Sequence, residues 1–166
     1  DRVRQAVGAS GVQFVLQAEQ LGTGHALMVA RDALRPYADV LVLSDDVPLL
    51  RAETIRRIRD FHLARQATMT VLTTDFPDPT GYGRIVRDAD GRVRRIVEHK
   101  DATPAERAIQ EVNTGILAVA TRHLRHWIGE LKNDNAQGEY YLTDIIALAV
   151  RDGLAVETHQ PAYEWE

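Results

Sequence analysis

The residues whose surroundings best suit them to chemistry are Ser44, Asp45 and Asp46. They follow an apolar run at residues 40–43, which reads as a buried parallel strand delivering carboxylates at its C-terminal end. Open α/β sheets bind ligands at that end. A hard divalent cation takes one or two carboxylates and fills its shell with phosphate and water oxygens, so one well-placed aspartate suffices. The plainer reading of Asp46 is a turn or helix cap before Pro48. A second candidate is the stretch Gln17-Ala-Glu-Gln-Leu-Gly-Thr-Gly24, a glycine-rich turn that opens a helix over residues 25–34. Taken by itself, Thr23 in such a turn is no more than an ordinary start of a helix.

These groups need a scaffold, and the composition allows one. The chain has 166 residues, 45% of them hydrophobic, enough to bury the core of one domain. Its 20 basic and 24 acidic residues are mixed along the chain and leave a net charge of -4, which gives no general affinity for nucleic acid. Arginines bunch at Arg51, Arg56, Arg57 and Arg59 and again at Arg92, Arg94 and Arg95; both groups read as solvated faces. The absence of cysteine excludes disulfides, zinc thiolates and cysteine nucleophiles, so any metal is held by oxygen or histidine. No apolar run reaches the roughly 20 residues that cross a bilayer, and a cytoplasmic location is expected.

The elements alternate. Apolar spacing predicts a helix over residues 1–7, a break at residues 8–11 and a strand at Phe14, Val15 and Leu16. An amphipathic helix is expected over residues 52–65, from Ile55, Ile58, Phe61 and Leu63, with a β-branched strand over residues 68–74. Residues 75–83, rich in Pro, Asp and Gly, form a loop. Asp90-Gly91 predicts a hairpin turn between strands at residues 84–87 and 92–98. A short helix over 103–110, a strand over 112–120, a helix over 124–131, a polar loop over 133–139, a helix over 141–150 and a last strand at 156–158 complete the pattern. The fold class is α/β, a Rossmann-like mixed and mostly parallel sheet with flanking helices, in one domain over residues 1–166.

Six strings in order then resemble one family. They are Leu16-Gln17-Ala18-Glu19-Gln20-Leu21-Gly22-Thr23-Gly24-His25-Ala26, Asp46-Val47-Pro48-Leu49, Asp78-Pro79-Thr80-Gly81-Tyr82-Gly83-Arg84-Ile85, Ile96-Val97-Glu98-His99-Lys100-Asp101-Ala102-Thr103, Asn113-Thr114-Gly115-Ile116, and Asn133 through Gln137-Gly138-Glu139-Tyr140-Tyr141-Leu142-Thr143-Asp144. They are similar to the bacterial bifunctional N-acetylglucosamine-1-phosphate uridyltransferases and glucosamine-1-phosphate acetyltransferases, over nearly the whole chain. The resemblance implies a nucleotidyltransferase that joins UTP to N-acetylglucosamine 1-phosphate with Mg2+. It would release pyrophosphate and form UDP-N-acetylglucosamine, a cell-wall precursor.

The same resemblance distributes roles. Asp46 matches the metal ligand and the catalytic position, with Ser44 and Asp45 beside it in the nucleotide site. Gln17 would complement the donor and acceptor edge of uracil, Gly22 would admit the base against the backbone, and Thr23 would bond the nucleoside. Glu98 and Asn113 match amino-sugar ligands, Gly83 would offer its backbone to the same sugar, and Tyr141 and Thr143 would line its pocket. Attack by a phosphate anion needs no general base, so His25, His62 and His99 are read as structural.

Departures from the family are also legible. The family opens with a first strand, a glycine-rich phosphate loop and a lysine that have no counterpart in this chain. The end at Tyr163-Glu164-Trp165-Glu166 stops short of an asparagine that supplies a second metal ligand. Ser44-Asp45 stands where the family commonly has Tyr-Gly. The chain alone is therefore expected to be inactive and poorly stable. The acetyltransferase half, through which the family forms trimers, is absent as well. Two other readings remain: a related enzyme using another sugar phosphate or thymidine, and a noncatalytic module that binds sugar nucleotides.

Overall fold

The computed structural model describes residues 2–7, 11–44, 47 and 50–161. In chain order the elements are α1 (Arg2–Val7), α2 (Thr23–Ala30), β1 (Asp39–Val42), α3 (Ala52–Ala64), β2 (Met69–Asp75), β3 (Arg84–Arg87), β4 (Val93–Val97), α4 (Pro104–Arg107), β5 (Glu111–Ala120), α5 (Thr121–Trp127), α6 (Asp144–Arg151) and β6 (Val156–His159). The expected helices and strands therefore form, with one exception at the start of the chain and one difference in kind: the run 40–43, expected as a buried parallel strand, is β1, which is partly exposed and pairs antiparallel with β5.

That exception is Phe14–Val15–Leu16, which is no strand. Ladder bonds need a neighbouring strand, and none of the described residues runs beside this run. The residues form no ladder, and Leu16 is 81% exposed.

The six strands make one sheet in the order β4-β3-β5-β2-β6, with β1 also paired to β5. A mostly parallel sheet holds by direction but not by pairing. β1, β2, β3 and β6 point one way; β5, the long central strand, runs against them and takes β1, β2 and β3 as antiparallel partners. Among the described residues only β2 and β6 form a parallel pair. The cause lies in β3–β4, a hairpin closed at Asp88–Arg92, which needs no crossover helix and turns the chain so that β5 returns antiparallel. Asp90-Gly91 lies in this turn as expected, in the longer form: the Gly91 N–H donates to the Asp88 carbonyl at 3.0 Å, and Gly91 takes φ +78.

Both faces of the sheet are covered. Successive residues of β2 divide between them: Val71 packs with Trp127, Ile128, Ile145 and Ile146 from the α5–α6 side, whereas Leu72 packs with Ile58 of α3 and Ile116. Burying each such side chain contributes roughly 1.5–3 kcal/mol, which fixes the strand faces and hence the register.

One irregularity in β5 shapes the site. Val71 of β2 opposes Leu117, but Thr73 opposes Asn113, so three residues of β5 bulge against one of β2. Gly115 makes this possible by taking φ +80, and the Thr114 hydroxyl donates to the Leu72 carbonyl at 2.8 Å.

Candidate functional site

The bulge turns Asn113, Thr114 and Gly115 into the wall of a cleft of about 450 Å3. Gly83 and Glu98 join the same wall, and Thr23 and Ser44 line it from elsewhere in the chain. Five of the sequence candidates are thus brought together by elements far apart in sequence. Gly83 is tied to the bulge directly, since the Asn113 N–H donates to its carbonyl at 2.9 Å. A Cβ on Gly83 would lie 2.9 Å from Ile96 Cγ2 and 3.3 Å from Glu98 Oε1, so only glycine lets the hairpin carry a carboxylate this close. Gly115 is held open for a similar reason, with a built Cβ 3.3 Å from Ser44 Cβ.

Glu98 is half-buried at the end of β4, and its Oε1 accepts from the Thr143 hydroxyl at 2.8 Å. Thr143 and Tyr141 are buried behind the cleft and do not line it. Tyr141 donates to Asp101 Oδ2 at 3.2 Å and accepts from the Gln137 amide at 2.9 Å, while the Ala136 N–H donates to Asp101 Oδ1 at 2.9 Å. Asp101 and Gln137 thus anchor the polar loop 133–139 to the end of the hairpin. They stand inside the matched strings, but no pattern of type or spacing marks them as partners.

The loop before α2 is fastened to the same region. The Tyr140 N–H donates to the Leu21 carbonyl at 2.8 Å, the Gly24 N–H donates back to the Tyr140 carbonyl at 2.8 Å, and the Leu142 N–H donates to the Thr23 hydroxyl at 3.1 Å. Gly22 takes φ +102, and a Cβ there would stand 2.7 Å from the Tyr140 oxygen. Gln17 is not on the cleft wall. Its amide nitrogen donates to the Gly22 carbonyl at 3.2 Å and lies 3.2 Å from His25 Nδ1, bracing the turn and leaving its carbonyl oxygen for other partners.

Asp45 and Asp46 lie outside the described residues. Ser44, two residues before Asp46 in sequence, lines the cleft. Among the described residues no three His, Asp or Glu side chains gather to hold a metal.

A nucleotidyl transferase family model matches residues 4–166. The chain belongs to the nucleotidyl transferase family. Over all 166 residues it is 58% identical to the "Bifunctional protein GlmU" of Thiobacillus denitrificans, and 55% identical to the proteins of that name from Burkholderia multivorans and Paraburkholderia phymatum. It covers 100% of itself and 36% of the length of each of these relatives.

Within this nucleotidyl transferase one perturbed group beside the site is Asp144, at the start of α6. Burial pushes its carboxyl above the ordinary value, and the negative charges of Glu98 and Asp101 add to the shift. The Tyr141 hydroxyl is also raised, chiefly by burial. Sequence reasoning passed over the aromatic rim formed by Phe76 and Tyr82, whose rings pack edge to face at 5.1 Å. It also passed over Gly115, although a glycine inside a strand pattern is itself a signal of a bulge or close approach. A second concavity of about 520 Å3 lies around Arg87, Gly91, Arg94, Gly153 and Thr158, away from every candidate. Its inner arginine, Arg87, is already paired with Glu111 at 2.7 and 2.6 Å. Two of the histidines read as structural have side-chain partners: buried His62 meets the Thr70 hydroxyl at 2.9 Å, and His99 faces Arg84. No helix among the described residues is long and apolar enough to cross a membrane.

Proposed function

We propose that this chain is the sugar-nucleotide-forming part of an enzyme that makes UDP-N-acetylglucosamine and pyrophosphate from UTP and N-acetylglucosamine 1-phosphate. The observation that carries this reading is the convergence of Gly83, Glu98 and Asn113 on one cleft wall. A backbone glycine, a carboxylate and an amide there give the donors and acceptors that sugar hydroxyls need. The 58% identity to a GlmU protein supports the choice of substrates.

In this reading the sugar phosphate attacks the α-phosphorus of UTP in line, the new phosphate–oxygen bond forming as the bond to pyrophosphate breaks. Glu98, fixed by Thr143, and Asn113 hold the sugar. Thr23, whose hydroxyl is set by the Leu142 N–H, faces the nucleoside, and Gln17 and Gly22 shape the turn against the base. Asp46 would hold Mg2+, with Ser44 and Asp45 beside it, and the ion would neutralise charge gathering on the phosphate oxygens. Tyr141 and Thr143 act from behind the pocket. The whole chain, residues 1–166, is one part of a nucleotidyltransferase domain, in a cytoplasmic enzyme assembled as a trimer through further sequence.

Pyrophosphate release across a panel of nucleoside triphosphates and sugar 1-phosphates tests this. Turnover confined to UTP with N-acetylglucosamine 1-phosphate is expected. Preference for another pair replaces the substrate assignment, and tight UDP-N-acetylglucosamine binding without turnover in the intact protein replaces the enzyme by a binding module.

A further inference from the structure

Arg84 is 1% exposed, yet no carboxylate among the described residues pairs with it within 4.0 Å. Asp78, the acidic group that feels its charge, is exposed and bonded to Thr80. The guanidinium instead donates to the Tyr82 carbonyl, and its other terminal nitrogen lies 3.4 Å from both the Arg107 carbonyl and His99 Nδ1. Because arginine only donates, Nδ1 of His99 is the acceptor in that contact. Nε has no partner. A buried cation without a counter-ion is expensive, and two of its three contacts here go to backbone carbonyls, of Tyr82 and Arg107.

The consequence falls on the next peptide. The peptide between Tyr82 and Gly83 is planar and trans, so its N–H points opposite to its carbonyl. Arg84 draws the Tyr82 oxygen to one side and thereby turns the Gly83 N–H to the other. Gly83 is buried on the cleft wall beside Glu98, and its N–H finds no acceptor among the described residues. Buried N–H groups without partners are rare, and one on the wall of a cleft is a donor available to a ligand oxygen.

We infer that Arg84 is a positioning residue for the sugar side of the site: by clamping the Tyr82 carbonyl it fixes the Gly83 N–H as a donor to a hydroxyl of the sugar phosphate. This rests on the cleft being the sugar pocket, as proposed above. The clamp acts on one substrate only, because the residues proposed to face the nucleotide are carried by other elements.

Steady-state kinetics of the intact enzyme separate this from a merely structural role. Arg84→Met should raise KM for N-acetylglucosamine 1-phosphate by about tenfold, the equivalent of one hydrogen bond, and leave KM for UTP within about twofold. Arg84→Lys, which can reach one acceptor at a time, should fall between. Equal rises in both KM values, or an unchanged sugar KM, overturn the inference. The wild-type Gly83 amide gives a check that needs no variant: its NMR resonance should move on titration with N-acetylglucosamine 1-phosphate, and an unmoved resonance overturns the clamp whichever way the kinetics fall. If wild-type enzyme releases no pyrophosphate but the Gly83 amide moves, the proposed reaction is lost and the clamp stands.

Discussion

Glu98 depends on Thr143 more than on its own strand, because a half-buried carboxylate at a strand end keeps its rotamer only where a donor holds it. Replacing Thr143 by Val keeps the shape and removes the hydroxyl. Calorimetric titration with UDP-N-acetylglucosamine should show binding weakened by about 3- to 20-fold in Thr143→Val, for a hydrogen bond to a charged group worth somewhat more than the neutral mean, and further in Glu98→Ala. Unaltered affinity in both variants would place the sugar elsewhere. Asp144 makes a separate prediction, about stability. Its folded-state pKa is raised by burial and by Glu98 and Asp101. Folding therefore favours the protonated form. That contribution is complete below the unfolded value of about 3.9 and is lost as pH rises through the raised value. The N-terminus of α6 opposes the loss by about 0.3–1 kcal/mol but does not reverse the direction of the shift. Asp144→Asn should accordingly gain in Tm relative to wild type between pH 4 and pH 7; a difference that does not change with pH would refute the argument.

Among the elements, the turn before α2 is the one held most strictly by backbone. Its exchange of hydrogen bonds with Tyr140 leaves no room at Gly22, where a Cβ would meet the Tyr140 oxygen at 2.7 Å and the φ of +102 disfavours any side chain. Gly22→Ala combines strain with overpacking and should cost about 2–4 kcal/mol in urea unfolding, with uridine nucleotide binding lost in step. A loss under about 0.5 kcal/mol would mean the turn is looser than its bonds imply. Sequence alone reached this turn, since a glycine-rich loop before an apolar helix is a local signal. It reached the helix of α3, the hairpin at Asp90-Gly91 and the strand β5 for the same reason. It missed what is set by partners distant in the chain. Phe14–Leu16 has strand composition without a strand beside it. β5 pairs antiparallel because a hairpin precedes it, and Asp101, Gln137 and Arg84 acquire their roles only once loop 133–139 and α4 are folded against the hairpin. Gly83, Glu98 and Asn113 were legible as candidates, but only through a resemblance; their union on one wall needs the bulge at Gly115, which no periodicity of apolar residues encodes.

For the molecule as a whole, the balance lies between a well-made core and an uncovered side. Trp127, Leu124, Ile145 and Ile146 are fully buried around the sheet, and Trp127 also donates to Asp152 at 2.8 Å. Outside that core, Val12 is 51%, Val15 43%, Leu16 81% and Leu43 45% exposed. β1, which ends one residue before Leu43, has a described strand partner on one edge only. A strand edge without a described partner is a template for association, and exposed apolar side chains withhold burial that would stabilise the fold. The isolated 166-residue chain should therefore bind a hydrophobic dye and unfold below the 45–65 °C usual for ordinary domains, as read by calorimetry. Val12→Ser with Leu16→Ser should reduce dye fluorescence without lowering Tm, because neither side chain is buried in the fold. If the wild-type chain instead melts cooperatively within the ordinary range and binds no dye, these residues are covered in solution by an arrangement of the chain other than the one described. If the double variant melts lower, they carry native contacts, and the weak side of the molecule must be sought elsewhere.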